Sequence, residues 1–328
     1  MISNIIPTRR QLLAGAGLGA TALALPGVAW AKAPMGLAQA PLFYRFKFGA
    51  AEATIVSDGS LPLGDPAGVF LGLDKSVLTE ELTNSFLPTT SAVLEQNVLV
   101  LNDGQRIVVF DLGMGTSKAF GSTTGQLIAN LRLAGIDPAT VDALVMSHAH
   151  IDHIGAIMDD NGNRNFPNAQ LYIAQSDFEY WTDDARIPAN APARPALLAQ
   201  AVKNLLPNRD RMTFFRGGQE FLPGITAMAA PGHTVGHTIF MIQSGNQQLC
   251  YVGDLSHHQV LLMARPRAQF MFDTDPTQAA ETRVRLMTML AANRTPILAY
   301  HFPWPGIGNV AKAGDGFRYY PAPMVTAL

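Results

Sequence analysis

The chain contains a single cysteine, Cys250, among its 328 residues. A disulfide within the chain is therefore excluded, even in an oxidising compartment. Cys250 falls in the strand-like run 247–252, and an isolated cysteine in such a run is usually a small buried hydrophobic residue. We therefore expect Cys250 to be neither a nucleophile nor a metal ligand.

The sequence also lacks a strong excess of charge of either sign. Lysine and arginine total 23 against 25 aspartate and glutamate, and the formal net charge is −2. No basic block follows the first ten residues, so the charge pattern gives no indication of a nucleic-acid partner. Hydrophobic residues make up 48% of the chain and charged residues 15%. This composition is typical of a globular protein, and the length allows one large domain or two small ones.

The N-terminal apolar run is too short to cross a membrane. It spans 14 residues, 12–25, against the roughly 20 that a bilayer requires. A pair of arginines precedes it, and small residues suited to signal cleavage follow it, as in a twin-arginine export signal. We therefore expect 1–33 to be a cleaved signal, 34–328 to be the mature domain in the periplasm, and no stable membrane anchor. A signal for general secretion is the alternative.

Histidines are few, but three of the eight fall within the segment 148–153, which reads H-x-H-x-D-H. The preceding run, 141–146, is almost entirely apolar and predicts a buried strand, so the motif lies at a strand-to-helix turn. Residues two apart on an extended backbone point the same way, so the first two histidines can bind one ion together. Asp152 and His153 follow as the chain turns and can face a second ion. Imidazole and carboxylate ligands suit zinc and other divalent metals.

Three more candidate ligands, His233, Asp254 and His301, each follow an apolar run, with glycine or proline nearby. A strand end on a rigid scaffold is a suitable place for such a side chain. Asp111 also ends a predicted strand, where a carboxylate can orient a ligating histidine.

Strands and helices alternate in both halves of the chain, with hairpins inside each half, so the sheet should be mixed. The segment 61–86 is rich in proline and glycine and is predicted to be loop. A capping box at 176–179 is predicted to open one helix, and Asp275 to cap another. The predicted strands are 43–48, 53–57, 93–101, 106–111, 141–146, 170–174, 225–230, 238–242, 247–252 and, as the final buried strand, 296–300; the predicted helices also include 126–134 and 197–206.

This ordered set of motifs resembles the metallo-β-lactamase superfamily over roughly residues 43–320. The resemblance implies an α+β or α/β fold, a four-layer αββα sandwich with two mixed β-sheets, and two bound metal ions. It implies that His237 lies beside the ligands or in the core without binding metal. It assigns His148, His150 and His233 to one ion, Asp152, His153 and His301 to the other, and Asp254 to both as a bridge.

Within the superfamily the sequence is similar to methyl parathion hydrolase and its lactonase relatives, for example at 57–59, 305–308 and 316–321. This similarity implies a binuclear hydrolase that uses a metal-bridging hydroxide on lactones or esters, and also on phosphotriesters, with Asp152 and Asp254 as catalytic carboxylates. Zinc is the expected ion, and manganese, iron and cobalt suit the same ligands. The expected partners are a small-molecule substrate and, as in many relatives, a second copy of the chain. The substrate pocket is assigned to Phe120, Trp181, His257 and His258.

The sequence departs from that branch at two places. Leu197 and Leu198 occupy the region of a third pocket aromatic, and Asn309 stands where a histidine is common. Three other functions remain open. A β-lactamase commonly uses a cysteine ligand, and Cys250 lies four residues before Asp254. A single-iron oxidoreductase resembling persulfide dioxygenase and a non-catalytic metal-binding protein are the other two.

Overall fold

The computed structural model describes residues 42–325. The predicted signal, 1–33, lies outside these residues. Among the described residues, no helix combines the length and the hydropathy that crossing a membrane requires. The strands are β1 (Phe43–Phe48), β2 (Ala51–Ser57), β3 (Leu61–Gly64), β4 (Phe70–Leu71), β5 (Ala92–Leu94), β6 (Asn97–Asn102), β7 (Ile107–Phe110), β8 (Ala143–Val145), β9 (Gln170–Ala174), β10 (Met212–Phe215), β11 (Glu220–Leu222), β12 (Ile225–Ala229), β13 (Thr238–Ser244), β14 (Gln247–Gly253), β15 (Gln269–Phe270), β16 (Ile297–Ala299), β17 (Ile307–Ala313) and β18 (Gly316–Pro321). The helices are α1 (Pro66–Val69), α2 (Lys75–Asn84), α3 (Leu127–Leu133), α4 (Ile151–Ile154), α5 (Gln175–Trp181), α6 (Arg194–Leu205), α7 (Leu261–Ala264) and α8 (Pro276–Ala292), with 3₁₀ turns at Pro138–Thr140, Asp184–Arg186 and Leu206–Arg211.

Two seven-stranded sheets form the centre of the fold. The first has the order β1-β2-β6-β7-β8-β9-β10, and the second has the order β11-β12-β13-β14-β16-β17-β18. Each contains both antiparallel and parallel neighbours: β6 and β7 are antiparallel, β7 and β8 parallel, β13 and β14 antiparallel, and β14 and β16 parallel. The predicted mixed sheets and four-layer sandwich are confirmed.

The main core lies between the two sheets, where apolar side chains from both inner faces meet. Phe110 of the first sheet contacts Phe240 and Tyr251 of the second, with ring centroids 5.7 and 5.5 Å apart. A second core, which includes Cys250, lies between the second sheet and α8. Burial of these strands on both faces explains why their sequences are nearly continuous apolar runs.

The segment 61–86 contains more regular structure than the sequence predicts. It forms β3, α1, β4 and α2, and the buried Leu78 and Leu82 of α2 pack in a third core with Leu261 and Phe270. The prediction of loop was wrong because this helix is stabilised by packing against a distant part of the chain, which its local composition does not reveal.

Two further predictions need correction. The strand at 296–300 is not the last, because β17 and β18 form an antiparallel hairpin beside it. Helix α5 begins at Gln175, so the proposed capping box lies inside the helix. The predicted cap of α8 is confirmed: the Asp275 side chain accepts the backbone N–H of Gln278, and Pro276 is the first helical residue.

Candidate metal centre

The topology brings several strand ends to one edge of the sandwich. In the first sheet, β7 and β8 are parallel, so the chain leaves both at the same edge. In the second sheet, β14 and β16 are parallel, and the connection from β12 to β13 lies at the end where they finish. The backbone N–H of Thr238 donates to the carbonyl of Ser147 at 2.9 Å, which joins the two edges directly. Carboxyl ends of parallel strands are a common position for ligand sites.

Four of the predicted ligands form one buried group. The ligand atoms of His148, His150, His233 and Asp254 all lie within 4.8 Å of one another. His233 Nε2 lies 2.9 Å from His150 Nδ1 and 3.2 Å from His148 Nε2. Ligand atoms that each lie about 2.0–2.1 Å from a zinc ion are separated by similar distances, roughly 3–4 Å.

The other three predicted ligands, Asp152, His153 and His301, form a second group beside the first. His301 Nε2 lies 3.4 Å from Asp152 Oδ2, and His153 Nε2 lies 3.6 Å from the same oxygen. Asp254 lies between the groups: one of its oxygens is 3.2 Å from His153 Nε2, and the other is 3.1 Å from His233 Nε2. The structure therefore brings all seven predicted ligands together.

In three of these histidines, the ring nitrogen that faces away from the centre lies beside an oxygen acceptor, which leaves the other ring nitrogen to bind an ion. His153 Nδ1 lies 2.8 Å from Asp111 Oδ2, and His233 Nδ1 lies 2.9 Å from Asp273 Oδ1. His301 Nδ1 lies 2.8 Å from the carbonyl of Glu95. Oxygen acceptors at these positions keep a proton on Nδ1, so each ring in its neutral form, the form that binds a metal, presents its lone pair at Nε2.

Several lone pairs therefore face one another at the centre. Among the described residues, the buried His153 Nε2 and Asp254 Oδ1 have no hydrogen-bond partner. Unpaired buried acceptors are costly unless a cation lies between them. The donor set fits zinc or another divalent metal, and the protein supplies the carboxylate and imidazole groups that such an ion requires.

The charges in the group are strongly coupled. Burial and the neighbouring histidines hold the pKa of His148 and His150 well below the usual value. Burial opposes protonation of His153 and His233 too, but the nearby carboxylates outweigh it: the pKa of His153 is well above the usual value, and that of His233 is raised to about 9. A metal ion at the centre must displace these protons, so its binding depends on pH.

Asp111 and His237 lie beside the ligand side chains. Asp111 has a φ of 58° and accepts hydrogen bonds from the backbone N–H and the hydroxyl of Ser147 and from the hydroxyl of Tyr251. His237 Nε2 accepts the backbone N–H of Asp254 at 3.0 Å. Both side chains thus hold the segments that carry the ligands.

A second buried carboxylate, Asp177, connects two ligand segments and was not predicted. One oxygen accepts the backbone N–H of Ala149 at 2.7 Å, and the other accepts that of Gly236 at 2.8 Å. These bonds tie the H-x-H-x-D-H segment to the segment that carries His233. The apparent capping box concealed this role, because the sequence pattern is the same whether the aspartate faces its own helix or distant loops.

A cavity that is partly open to solvent leads to the centre. Phe120 lines it, as predicted, and Leu197 lines it in the region of the absent third aromatic. The sequence analysis did not identify Leu61, Leu63, Phe270 and Phe272 as wall residues, since they lie in segments with no distinctive pattern. The lining residues are Leu61, Leu63, Phe120, His150, Ile151, Asp152, Leu197, His233, Asp254, Phe270, Phe272 and His301.

Three predicted pocket residues lie outside this lining. Trp181 is buried behind His150, with ring centroids 4.8 Å apart. His258 packs on Phe70, and its Nδ1 accepts two backbone N–H groups. His257 lies closer to the centre than the sequence implies: its Nε2 is 3.0 Å from Asp254 Oδ2, and it stacks on Phe270.

Stacked mixed sheets with a buried histidine and aspartate cluster at their strand ends define a metal-binding αββα class. The chain belongs to the metallo-beta-lactamase superfamily, whose family model matches residues 92–301. The match confirms the resemblance drawn from the motifs. Cys250 packs against the side of the second sheet that faces α8, so it cannot reach the centre as a ligand.

Two solved structures are similar over most of the chain. The dizinc quorum-quenching lactonase AidC, in complex with a homoserine product, is 28% identical with a TM-score of 0.80, covering 87% of this chain and 98% of that one. The hydrolase AbOPH of the beta lactamase superfamily is 25% identical with a TM-score of 0.80, covering 87% and 99%. The N-acyl homoserine lactonase AttM of Azorhizobium caulinodans is 30% identical over 121 residues, 35% of this chain and 41% of that protein. The chain thus spans about two fifths of the length of the curated relatives it matches.

Proposed function

We propose that the protein is a binuclear metal-dependent hydrolase that opens lactones or cleaves esters bearing an apolar group. The observation that carries this proposal is the cavity wall: Leu61, Phe120, Leu197, Phe270 and Phe272 surround an opening that ends on the metal-competent side chains. None of the residues lining this cavity is a lysine or arginine. Such a wall favours a neutral, apolar substrate over an anionic one. Similarity to lactonases supports the choice of lactones.

We propose two divalent ions, with zinc as the expected metal. The arrangement of two ligand groups with Asp254 between them supports two ions, and AidC is a dizinc enzyme. His148, His150 and His233 would hold one ion, Asp152, His153 and His301 the other, and Asp254 both. Ions held in this way would supply a hydroxide nucleophile at neutral pH and polarise the scissile carbonyl.

The chain's own side chains have separate tasks in this proposal. The apolar wall binds the organic part of the substrate and excludes bulk water from the reacting carbonyl. Asp152 and Asp254 line the cavity beside the centre. Asp254 would hold both ions through its two oxygens, whereas the Asp152 carboxylate would orient the nucleophile, take the proton of the attacking hydroxide and pass it to the departing alkoxide. The balance is one water consumed per ester cleaved, giving an acid and an alcohol, or one hydroxy acid from a lactone.

The proposal is tested by turnover and metal analysis on one sample of the purified mature chain. The substrates are acyl-homoserine lactones, aryl lactones, aryl esters and a β-lactam. We expect about two ions per chain, turnover of lactones or esters, loss of turnover on chelation and recovery with Zn²⁺. A chain that holds one iron and consumes oxygen would indicate the oxidoreductase instead, and a dimetal chain without any turnover would indicate a non-catalytic metal-binding protein.

We also propose phosphotriesters as a second substrate class, in line with the resemblance to methyl parathion hydrolase. An uncharged triester suits the same neutral wall, which has no cationic side chain to favour a phosphate anion. Adding an aryl phosphotriester and the matching anionic diester to the screen tests this. We expect turnover of the triester and none of the diester.

We further propose that residues 1–33 direct export to the periplasm and are cleaved, and that the mature chain 34–328 forms a homodimer. The arginine pair before the apolar run supports export. The mass of the protein from a periplasmic fraction tests the cleavage, and light scattering during size-exclusion chromatography tests the dimer.

A further inference from the structure

Arg283 of α8 is a buried cation that lies behind the metal centre. Its side chain is only 1% exposed. Its guanidinium donates to the carbonyls of Leu255 at 2.8 Å, Pro266 at 2.9 Å and Ala268 at 2.8 Å. Its Nη2 also lies 3.8 Å from Asp273 Oδ2, an ion pair rather than a hydrogen bond. An arginine cannot lose its charge in a protein, so burying one requires a counter-charge and acceptors such as these.

The segments that Arg283 contacts carry parts of the centre. Leu255 follows Asp254 directly. Asp273 accepts from His233 Nδ1 at 2.9 Å through one oxygen and from the backbone N–H of Phe270 at 3.1 Å through the other. Arg283 therefore contacts the supports of two ligands and of one cavity-wall residue, and its hydrogen bonds and ion pair include none of the ligand side chains.

The start of α8 is also fixed against the His233 segment. The backbone N–H of Asp275 donates to the carbonyl of Gly232 at 2.8 Å. Gly232 has a φ of 128°, and a Cβ there would lie 2.2 Å from the backbone nitrogen of Ala279. The close approach leaves the His233 segment little freedom to move independently of the helix that carries Arg283.

The support of the second ligand group is different in kind. His153 is held by Asp111, and that carboxylate is held by Ser147 and Tyr251, whose donors are uncharged. Arg283 forms no hydrogen bond or ion pair with this group. The two histidine–carboxylate pairs can therefore be perturbed separately.

We propose that Arg283 is a positioning residue that holds Asp273 against His233 and thereby sets the affinity of the ion bound by His148, His150 and His233. A carboxylate on the far nitrogen of a ligating histidine fixes its orientation and raises its basicity. Arg283 fixes that carboxylate and balances its charge in a buried site. The inference rests on the metal binding proposed above.

The test compares metal affinities in Arg283→Met, Arg283→Lys, Asp273→Asn and the combined Arg283→Met and Asp273→Asn protein, by competition with a chromophoric chelator. We expect Arg283→Met to weaken the binding of one of the two ions by about 10–100-fold. The other ion should be weakened much less, because it is linked to Arg283 only through the shared Asp254, which precedes Leu255. Arg283→Lys should retain part of the affinity. The combined variant should bind the ion no more weakly than the weaker-binding single variant, because Arg283 acts on the ion only through Asp273.

Cobalt identifies the ion concerned. One ligand group supplies three histidines and the other supplies two. The number of paramagnetically shifted imidazole N–H signals of the Co²⁺ protein therefore distinguishes the two ligand groups. When chelator is added to the Arg283→Met protein, the signals of the three-histidine group should disappear first.

Arg211→Met is the matched control. Arg211 also donates to backbone carbonyls, those of Phe166 at 2.6 Å and Ala169 at 2.8 Å, and has no contact with the metal-centre residues. The Arg211→Met substitution should lower the thermal stability of the metal-free protein without changing the affinity for either metal ion.

Unchanged affinities in the folded Arg283 variants, or equal weakening of both ions, would overturn the inference. If Arg283→Met does not fold, Arg283→Lys and Asp273→Asn decide: wild-type affinity in both overturns it. A wild-type chain that binds no metal overturns the proposed function and this inference together, whereas two ions in the wild type with unaltered variants overturn the inference alone.

Discussion

Replacing Asp111 by asparagine tests how much the carboxylate beside His153 contributes to stability and to metal binding. The carboxylate is fully buried, and its Oδ2 accepts from three donors: the Ser147 hydroxyl at 2.7 Å, the Tyr251 hydroxyl at 2.8 Å and His153 Nδ1 at 2.8 Å. Its Oδ1 accepts the backbone N–H of Ser147 at 2.8 Å. Asparagine tolerates the left-handed backbone at this position as well as aspartate does, so the substitution changes the side chain alone.

The expected loss of unfolding free energy follows from the number of acceptor oxygens that the side chain offers. An amide has one oxygen, so its NH₂ must face at least one of the four donors. The less costly orientation keeps the oxygen toward the three donors and turns the NH₂ against the Ser147 backbone N–H. One unsatisfied buried group costs about 1–3 kcal/mol, and weaker neutral hydrogen bonds add about 1 kcal/mol, so the metal-free protein should lose about 2–4 kcal/mol of unfolding free energy.

The effect on metal should be confined to one ion. We expect the ion held by Asp152, His153 and His301 to bind about 10–100-fold more weakly, because the far nitrogen of His153 loses its charged partner. Urea unfolding of the metal-free protein and chelator competition measure the two effects. Asp103→Asn is the control, since Asp103 accepts hydrogen bonds only within its own surface turn. Wild-type affinity for both ions, or weakening of the three-histidine ion instead, would refute the reasoning.

Three further predictions concern other parts of the site. Asp254→Ala should lose bound metal and turnover together, as read by metal analysis and lactone hydrolysis, and a variant that keeps two ions and full rate excludes the bridging role. Phe120→Ala should raise KM for long-chain lactones by about 10-fold with little change in kcat, because one apolar wall residue contributes about 1–3 kcal/mol of binding. An unchanged KM would show that the acyl group of the substrate does not bind against Phe120. Burial and the neighbouring His233 lower the pKa of His237 to about 4 from 6.5, so the unfolded chain binds the proton first and the metal-free protein loses up to about 3 kcal/mol as the pH falls from about 6.5 to about 4. NMR titration checks this, and a His237 signal that titrates near pH 6.5 would contradict it.

The metal-competent residues were predictable because their signal is local. Each follows an apolar run that becomes a strand, and the strand end alone fixes where the next side chain points. This is why Asp254 after β14 and His301 after β16 could be named as candidate ligands before the fold was known, while the resemblance supplied their assignment to particular ions. The same holds for Asp111 after β7.

The wall of the cavity and the buried carboxylates were not predictable in this way. Leu61 and Phe272 are ordinary apolar residues in their own segments, and they meet only because the third core packs those segments together. Asp177 and Asp273 look like surface or capping residues until their distant partners are known. Their function depends on long-range contacts, which a single sequence does not reveal.

The division of the ligands between the two sheets explains why the centre requires the whole sandwich. The segment after β8, in the first sheet, supplies four ligands, and the strand ends of the second sheet supply His233, Asp254 and His301. Each proposed ion takes ligands from both sheets, so neither sheet alone offers a complete site. Each sheet also provides one histidine whose far nitrogen faces a carboxylate: His153, beside Asp111, in the first and His233, beside Asp273, in the second. Because Asp254 lies between the two ligand groups, the distance between the groups is set by how the sheets pack, and that packing depends on the core rather than on the ligands themselves.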